Sequence, residues 1–364
     1  MSSHVDGIGV REYFSLLIIL VGVKLSDTTP ILMVGEVKSA SWMVPIFSGI
    51  ILFPFFYMSL SVVSKRVNKN LIEVTKEVFG NKLGSFISIL LFFLVFFVLC
   101  LDLREYVDTI AIMYFPDTPL FVLALIFIVT CFYGSLKGLK PLGSAFYICT
   151  PYIKLAILIL AILEIKDASW SNALPILGGG GKEIMIQSFN KASIFGDLFL
   201  LLLIYPSIID KKNIKKVSFF GTTFIMFEMS FFILSYIILF GYPFLERVTF
   251  PFHEASKYVK IGNFSSHIET YFFFFWILAV TLRLSFYLFG SAVIYKATFN
   301  MKSYKPILAP ISLLVLIIAM FPENPVYNSF ILREFFYHTA TYGLMLYSIL
   351  FWLTDKVKRR GKKG

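Results

Sequence analysis

The sequence predicts an all-α integral membrane protein with ten transmembrane helices in a single polytopic domain, residues 1–364. Hydrophobic residues make up 58% of the chain, charged residues only 15%, and the mean hydropathy is +0.80. A soluble globular domain does not have this composition. Ten segments are apolar over a length that can cross a hydrocarbon core of about 30 Å. They are residues 13–35, 42–64, 85–112, 119–136, 142–164, 189–209, 217–240, 268–294, 305–321 and 335–353.

The positive charge of the chain supports the same class. The formal net charge is +11 at pH 7, which in a soluble domain would suggest a nucleic-acid partner. In a membrane protein, Lys and Arg collect on the cytoplasmic side instead. Most of them fall in alternate connections and in a basic tail, residues 354–364. We therefore expect both termini in the cytoplasm, membrane lipid around the helices, and no nucleic-acid partner.

The first segment is interrupted in its second half, which makes it the first candidate site. Pro30 removes a helical hydrogen bond and disfavours helical geometry at the preceding residue, while Ser26 and Thr28 can bond the freed backbone groups. Lys24 lies about 16 Å into the span, near mid-depth, and Asp27 follows one turn later. Charges at this depth are costly unless they are paired or face a polar cavity. We predict an open helix here, with these polar residues lining a site.

Ten spans divide into two halves of five, residues 1–165 and 166–353. An odd number of spans per half makes the second half run inverted relative to the first. The sixth span is short and carries Gly196 and Asp197, with Pro206 near its other end. A pair of interrupted spans at corresponding positions of two halves indicates a transporter-type binding site. Asp27 and Asp197 are therefore both predicted to be site residues.

Three more ionisable residues lie near mid-depth: Lys154 in the fifth span, Glu228 in the seventh and Arg283 in the eighth. With the charged candidates of the first and sixth spans they give equal numbers of cations and anions, as a mutually paired interior would. Glu228 and Arg283 have two explanations, static salt bridges between helices or a role in ion coupling. Lys154 is predicted to be functional, because an apolar environment lets a lysine take up and release a proton.

A charged cluster in the third span is predicted to lie at the membrane surface. Asp102, Arg104, Glu105 and Asp108 begin about 26 Å along that span. They are expected at the outer headgroup boundary, with Arg104 and Asp108 paired one turn apart. Trp276 sits deeper in its span than an interfacial anchor and either packs or lines a cavity.

The long connection before the eighth span contains an amphipathic run. Apolar and small residues recur at helical spacing from Phe252 to Val259, opposite Glu254, Lys257 and Lys260. This run is either a lid over the site or an interfacial helix without a gating role.

Nothing in the pattern indicates an enzyme. A polytopic acyl- or glycosyl-transferase needs a buried base or paired carboxylates with room for a substrate. The histidines lie at segment ends or in connections, at His4, His253, His267 and His338. The sequence has no metal-ligand spacing, nucleophile elbow or phosphate-binding loop. We therefore predict neither catalysis nor a metal ion or other cofactor.

Three stretches, taken in their order and spacing, resemble one family over essentially the whole chain. They are Leu174-Pro175-Ile176-Leu177-Gly178 through Phe189, then Phe195-Gly196-Asp197-Leu198 through Pro206, then Phe250-Pro251 through Ile261-Gly262-Asn263-Phe264 with Glu269, Trp276 and Tyr287. In these features the chain resembles the GerAB-type spore germination permeases, the B subunits of Ger-type nutrient germinant receptors. That family belongs to the amino acid-polyamine-organocation (APC) transporter superfamily.

The resemblance implies a LeuT-like five-plus-five inverted repeat with helices 1 and 6 broken. It implies a nutrient ligand between the first, sixth and eighth helices, where Gly196, Asp197, Trp276 and Tyr287 would lie. Lys154 then resembles the fifth-span lysine that replaces a sodium site in proton-coupled amino acid transporters of this superfamily.

The first break departs from the pattern of many amino acid transporters, which have a glycine-rich turn there. Glycine lets backbone amides approach a ligand carboxylate. This chain has Ser26-Asp27-Thr28-Thr29-Pro30 instead. An anionic ligand group at this place therefore needs a compensating cation such as Lys24, or the ligand's amino group faces Asp27.

The predicted function is that of a germinant receptor B subunit in the inner spore membrane of a spore-forming bacterium. It would bind a small nutrient, with an amino acid preferred and sugars or nucleosides as further options. The implied partners are a polytopic A subunit and a lipoprotein C subunit. The alternative is a proton-coupled amino acid permease, because a receptor that has lost transport can keep the transporter's fold and site.

Overall fold

A computed structural model describes residues 7–258 and 268–361, and these residues are almost entirely helical. Fifteen α-helices follow one another along this part of the chain. They are α1 Val10–Gly22, α2 Thr29–Val37, α3 Val44–Val63, α4 Leu71–Phe79, α5 Asn81–Met113, α6 Leu120–Lys137, α7 Leu139–Glu164, α8 Gly181–Asn190, α9 Asp197–Leu200, α10 Ile214–Phe240, α11 Tyr242–Leu245, α12 Pro251–Tyr258, α13 Ile268–Thr298, α14 Lys305–Ala319 and α15 Arg333–Arg360.

Fewer helices than the ten predicted spans meet a strict length and apolarity test. Within the described ranges six helical stretches do so, and the bent pair Gly181–Asn190 and Ala192–Ser207, with an angle of 48°, brings the number to seven. The six are Thr29–Val63, Asn81–Met113, Leu120–Lys137, Leu139–Glu164, Ile214–Phe240 and Glu269–Thr298. The first predicted span falls short because it is divided into helices of 13 and 9 residues. The ninth is short, at 15 residues.

Helix α1 lies in the middle of the molecule. Every residue from Ser15 to Gly22 is buried, with no polar face. A helix that is apolar on all sides is stable only when other elements surround it. It packs against α7, α10 and α13. The interrupted first segment is therefore the core around which the other helices are arranged.

The outer helices present large apolar side chains to the surroundings. Phe86 and Phe93 of α5, Ile126 of α6, and Ile148 and Leu155 of α7 are each more than 45% exposed. In water, such a continuous apolar surface would mark an interaction site or cause aggregation. In a bilayer it is the surface that faces lipid, as the composition predicts.

The short helix α4 is amphipathic and lies across one end of the bundle. Its first turn is closed by a capping box, in which Asn70 Oδ1 accepts from the Glu73 amide (3.0 Å) and Glu73 Oε2 accepts from the Asn70 amide (2.9 Å). Arg66, which precedes the helix, ties it to α15, because it binds both Glu77 of α4 (2.9 Å) and Asp355 of α15 (2.7 Å). These contacts join the first and last parts of the chain.

Two glycines provide a matched test of this packing. A Cβ atom added at Gly84 in α5 would lie 2.5 Å from the Cα of Lys76 in α4, whereas one added at Gly343 in α15 meets nothing within 4 Å. Gly84→Ala is therefore expected to destabilise the protein by about 1–3 kcal/mol, because backbone must move. Gly343→Ala is expected to be neutral or to stabilise by up to about 1 kcal/mol. Thermal unfolding of both variants in the same detergent measures this, and an equal loss in both would contradict the packing.

Candidate functional site

The break in the first segment is held open by its own polar groups. Helix α1 ends at Gly22, a 3-10 turn covers Val23–Leu25, and α2 starts at Thr29 with Pro30 in its first turn. Proline is tolerated there because its missing N–H would be unsatisfied in any case. Ser26 Oγ donates to the Val23 carbonyl (2.6 Å), and Asp27 Oδ1 accepts from the Thr29 amide (2.7 Å). The freed backbone groups are thus satisfied locally.

A second irregular segment lies against this break. A 3-10 turn, Ala192–Phe195, precedes Gly196 and the short helix α9. A Cβ atom at Gly196 would lie 2.8 Å from the Ser193 carbonyl oxygen and 3.1 Å from Leu344 in α15, so only glycine fits without a shift. Lys24 Nζ donates to the Ile194 carbonyl oxygen (2.5 Å). The side chain of Lys24 therefore connects the two irregular segments.

Asp197 is the centre of the first half of a buried ionic cluster. Lys24 Nζ lies 2.7 Å and Arg283 Nη1 lies 3.1 Å from Asp197 Oδ2. The Tyr287 hydroxyl donates to Asp197 Oδ1, and the Arg283 guanidinium lies 4.8 Å from the centre of the Tyr287 ring. Arg283 also donates to the carbonyl oxygen of Leu20 in α1. Four of the predicted site residues are thus brought together.

Arg333 is the centre of the second half. Arg333 Nη1 lies 3.0 Å from Asp27 Oδ2, and Arg333 Nη2 lies 2.9 Å from Asp102 Oδ1 and also contacts Glu105 Oε2. Asp102 links the two halves, since Arg283 Nε donates to its other oxygen at 2.8 Å. Glu105 Oε1 accepts from the backbone amide of Thr28 (2.6 Å). This is the only hydrogen bond of Thr28 to another segment, because Thr28 Oγ1 has no partner among the described residues.

We call these seven residues the central ion network. Each is at most 3% exposed, so the network is almost fully removed from solvent. Buried ion pairs of this kind are costly to break, because removing one partner leaves the other charge uncompensated. The members of the network are Lys24, Asp27, Asp102, Glu105, Asp197, Arg283 and Arg333.

The predicted surface position of the third-span cluster is wrong. Asp102, Arg104, Glu105 and Asp108 are all at most 4% exposed. The two pairs face different ways: Asp102 and Glu105, three residues apart, point into the network, whereas Arg104 Nε binds Asp108 Oδ2 at 2.9 Å. The predicted Arg104–Asp108 pair is confirmed, but its location inside the protein is new. The sequence signal that Asp102 and Glu105 point the same way is their spacing along α5, since residues three apart share a helix face.

Two further cations, each two residues from the start of a predicted span, are also buried. Arg333 and Lys191 are each 2% exposed. The last predicted span begins too late, because a π-helical stretch, Tyr327–Leu332, extends α15 backwards and brings Arg333 into the interior. Lys191 Nζ donates to the carbonyl oxygen of Leu32 in α2 and lies 3.3 Å from Glu334 Oε1. Both residues therefore belong to the site region and not to the membrane surface.

Lys154 and Glu228 form a separate pair. Lys154 Nζ lies 2.6 Å from Glu228 Oε2, and the two side chains are 19% and 10% exposed. A Cβ atom at Gly22 would lie 3.1 Å from Lys154 Nζ, so this pair sits beside the end of α1. The sequence predicts one set of paired charges near mid-depth, whereas the structure contains two separate sets. Arg283 belongs to the central ion network and not to the Lys154 pair.

Ser26 and Trp276 lie beside this second pair and not in the central ion network. Both line a small cavity of about 20 Å³, together with Lys154. Trp276 is 3% exposed and packs edge-on against Tyr106 (5.7 Å between ring centres) and His253 (4.6 Å). Packing and cavity lining, the two alternatives for Trp276, therefore both apply.

The amphipathic run forms α12, which covers this region. Phe252, Ala255 and Ser256 are buried and Lys257 is exposed, as the helical spacing predicts. His253 is also buried, and this burial lowers its pKa to about 3, so the ring is neutral. Val259, Lys260 and the stretch Ile261-Gly262-Asn263-Phe264 lie outside the described residues, as do His4 and His267.

A narrow cavity of about 50 Å³ lies against the central ion network. Its polar wall is formed by Lys24, Asp102, Asp197, Arg283, Arg333 and Tyr287, and its apolar wall mainly by side chains of α5 and α15. Such a volume holds only a few water-sized groups, so a larger molecule can enter only when the helices move apart. Among residues 7–258 and 268–361, no group of three or more His, Cys, Asp or Glu side chains is placed to hold a metal ion.

Solved transporter structures share this fold. One is a nucleobase-cation-symport-1 family transporter in a closed conformation with bromovinylhydantoin bound, with a TM-score of 0.58 and 14% identity over 92% of this chain and 78% of that one. Another is MhsT in complex with L-phenylalanine, with a TM-score of 0.65 and 10% identity over 95% of each chain. The fold and the buried ionic cluster define a permease-like, multi-pass membrane protein.

Sequence comparison gives the family. The family model for spore germination proteins matches residues 9–327, and the chain belongs to this family. It is 22% identical over 317 residues to spore germination protein KB of Bacillus subtilis (strain 168), covering 86% of this chain and 84% of that protein. It is 23% identical over 251 residues to spore germination protein XB of Bacillus anthracis, covering 68% and 70%. The family resemblance is thereby confirmed, and this family and fold are those of permeases and receptors, not of enzymes.

Proposed function

We propose that this chain is the B subunit of a spore nutrient germinant receptor and binds a small nutrient beside the central ion network. One observation carries the proposal: Lys24 joins the break of the first segment to Asp197 of the second irregular segment, next to a cavity. Two interrupted segments that meet at a charged site are the feature that indicates substrate binding in this class of transporters. Membership of the spore germination family supplies the biological setting.

The proposal includes the full transporter architecture. The ten spans form a five-plus-five inverted repeat, residues 1–165 and 166–353, with the basic tail 354–364 and both termini in the cytoplasm. The interruptions near residues 26–28 and 196 support this arrangement, as does the similarity to transporter folds. The protein then resides in the inner spore membrane, together with a polytopic A subunit and a lipoprotein C subunit.

An amino acid is the favoured ligand. The cavity wall carries carboxylates beside guanidinium and ammonium groups, and such a surface can pair with both ends of a zwitterion through charge-assisted hydrogen bonds. The proposed contacts are Lys24, Asp27, Thr28, Gly196, Asp197 and Tyr287, while Ser26 and Trp276 would act from the neighbouring small cavity. The L-phenylalanine bound to MhsT supports this ligand class.

Signalling requires that the nutrient bind two arrangements of the helices with different affinity. In the structure, the contacts of Arg283 and Arg333 hold the irregular segments to α5, α13 and α15. A ligand that replaces some of these contacts favours the arrangement in which the helices lie further apart. The partner subunits then respond to the change in the helices and not to the nutrient itself.

The alternative function is a proton-coupled amino acid permease. The Lys154–Glu228 pair favours it, because it is partly accessible and adjoins the end of α1 at Gly22. Lys154, Glu228 and Arg283 would then be the coupling charges.

Uptake and binding measured on the same proteoliposomes separate the two functions. The chain alone is tested with a panel of labelled amino acids, with and without a proton gradient, and equilibrium binding is measured in parallel. The receptor predicts saturable binding without accumulation. Gradient-dependent accumulation that Lys154→Met abolishes would establish the permease instead. Absence of both binding and uptake for every amino acid would contradict the proposed ligand class.

A further inference from the structure

We propose that the central ion network binds one proton and that Glu105 carries it. This proton site belongs to the network itself and does not depend on which nutrient binds. Glu105 lies outside the set of site residues that the sequence predicts.

The charges in the central ion network do not balance. The network contains four carboxylates, Asp27, Asp102, Glu105 and Asp197, but only three cations, Lys24, Arg283 and Arg333. All seven side chains are buried. An uncompensated charge in such surroundings is so unfavourable that the group becomes neutral instead. One carboxylate of the four should therefore hold a proton.

Neighbouring buried charges do not correct this balance. Arg104 is paired with Asp108 at 2.9 Å on the other face of α5, and Lys154 is paired with Glu228 at 2.6 Å. Lys191 binds Glu334 and the Leu32 carbonyl oxygen. Among the described residues, each of these cations therefore has its own partner and leaves the excess of negative charge in the network.

Two of the four carboxylates each contact two cations. Asp102 lies between two arginines, with Arg283 Nε at 2.8 Å and Arg333 Nη2 at 2.9 Å. Asp197 has Lys24 at 2.7 Å, Arg283 at 3.1 Å and the Tyr287 hydroxyl as a third donor. Several charge-assisted donors around one carboxylate favour its ionised form.

The choice between the other two rests on how they share Arg333. Asp27 has Nη1 to itself at 3.0 Å and also accepts from the Thr29 amide at 2.7 Å. Glu105 also accepts from one backbone amide, that of Thr28 at 2.6 Å, but it shares Nη2 with Asp102. Its Oε2 contacts this nitrogen without forming an aligned hydrogen bond. Glu105 is thus the carboxylate with the least compensation.

Unsatisfied polar atoms next to Glu105 support the same assignment. Thr28 Oγ1 and Glu105 Oε2 both lack a hydrogen-bond partner, although the two residues are 0% and 1% exposed. A proton on Oε2 converts a buried unpaired acceptor into a donor. The charged groups that act on Glu105 are Arg333 of α15, Asp27 of the first segment and Asp102 of α5. The other titratable groups around the network face Asp102 or Arg333: Lys24, Tyr106, Arg283 and Tyr337.

Difference infrared spectroscopy tests the proposal without any ligand. The wild-type chain and Glu105→Gln are placed in the same lipid nanodiscs at neutral pH. We expect the wild type to show the C=O stretching band of a protonated carboxyl group and Glu105→Gln to lose it, with an unchanged melting temperature. Isotope labelling identifies the carboxyl group without changing any charge: glutamate with heavy carbon in its side-chain carboxyl group should shift the protonated band to lower frequency, whereas aspartate labelled in the same way should leave it in place. Glu164→Gln identifies any band from Glu164, a buried carboxylate that accepts from Ser235.

Three results would overturn the inference. Loss of a carboxylate band in Glu105→Gln would show that Glu105 is ionised. A shift of the protonated band with labelled aspartate and not with labelled glutamate would place the proton on an aspartate. Failure of Glu105→Gln to fold, while Asp27→Asn folds, would show that the network needs the negative charge of Glu105.

Discussion

Replacing Arg333 with methionine is expected to lower the free energy of unfolding by about 3–5 kcal/mol, the cost of removing one partner from a buried ionic cluster. Arg333 is the only cation within salt-bridge distance of Asp27 among the described residues, and it also binds Asp102 and Glu105. Its loss leaves Asp27 buried and uncompensated. Reversible unfolding in mixed micelles, followed by tryptophan fluorescence, measures the change.

Arg359→Met is the matched control on the same helix. Arg359 also pairs with an aspartate, Asp355, at 3.1 Å, but its side chain is 44% exposed. Asp355 keeps Arg66 at 2.7 Å when the exposed Arg359 is removed, so the loss is expected to be at most about 1 kcal/mol. Equal losses of stability in the two variants would contradict the buried role of Arg333.

Lys24 and Asp197 are expected to show strong coupling. Lys24→Met and Asp197→Asn should each destabilise the protein by about 3 kcal/mol, because each leaves one buried charge with fewer partners. The double variant leaves neither charge, so its loss should be smaller than the sum by about 1–3 kcal/mol. A double-mutant cycle of unfolding free energies measures the coupling, and additive losses would show that the 2.7 Å contact is not a stabilising pair.

The same double variant separates stability from binding. If Lys24 and Asp197 contact the nutrient, the double variant should be folded yet bind the amino acid at least about tenfold more weakly, a change of about 1.4 kcal/mol. Glu228→Gln combined with Lys154→Met is the matched control, because it removes a buried pair outside the central cavity. Normal affinity in the Lys24 and Asp197 double variant would exclude these residues from the ligand contacts.

Sequence alone located the part of the site that lies inside continuous apolar segments. Lys24, Asp27 and Arg283 stand out because they interrupt hydrophobic stretches near mid-depth, where a charge needs a partner. Asp197 stands out because it lies at the predicted interruption of the sixth span. Their pairings could not be read from the sequence. Arg283 binds Asp102 and Asp197, whereas Glu228 binds Lys154, and only the packing of the helices decides this.

Asp102, Glu105 and Arg333 escape prediction because the predicted start of a span does not give the depth of a residue within it. Helix α5 has 33 residues and extends about 50 Å, longer than a hydrocarbon core, so distance from its start does not give depth. Asp102 and Glu105 were therefore placed at the surface. Arg333 was missed because a π-helical stretch lengthens the last helix, and the hydropathy pattern does not reveal it.

Photo-crosslinking tests most directly whether the nutrient binds beside the central ion network. An amino acid that binds the chain is given a diazirine group, and the labelled peptides are identified by mass spectrometry, with unlabelled amino acid as competitor. Binding beside the network predicts competed labelling within Ser193–Leu203 or Phe336–Leu344, because both stretches line the cavity next to the network. Competed labelling confined to the peptide around Trp276, or to exposed helix faces, would contradict it.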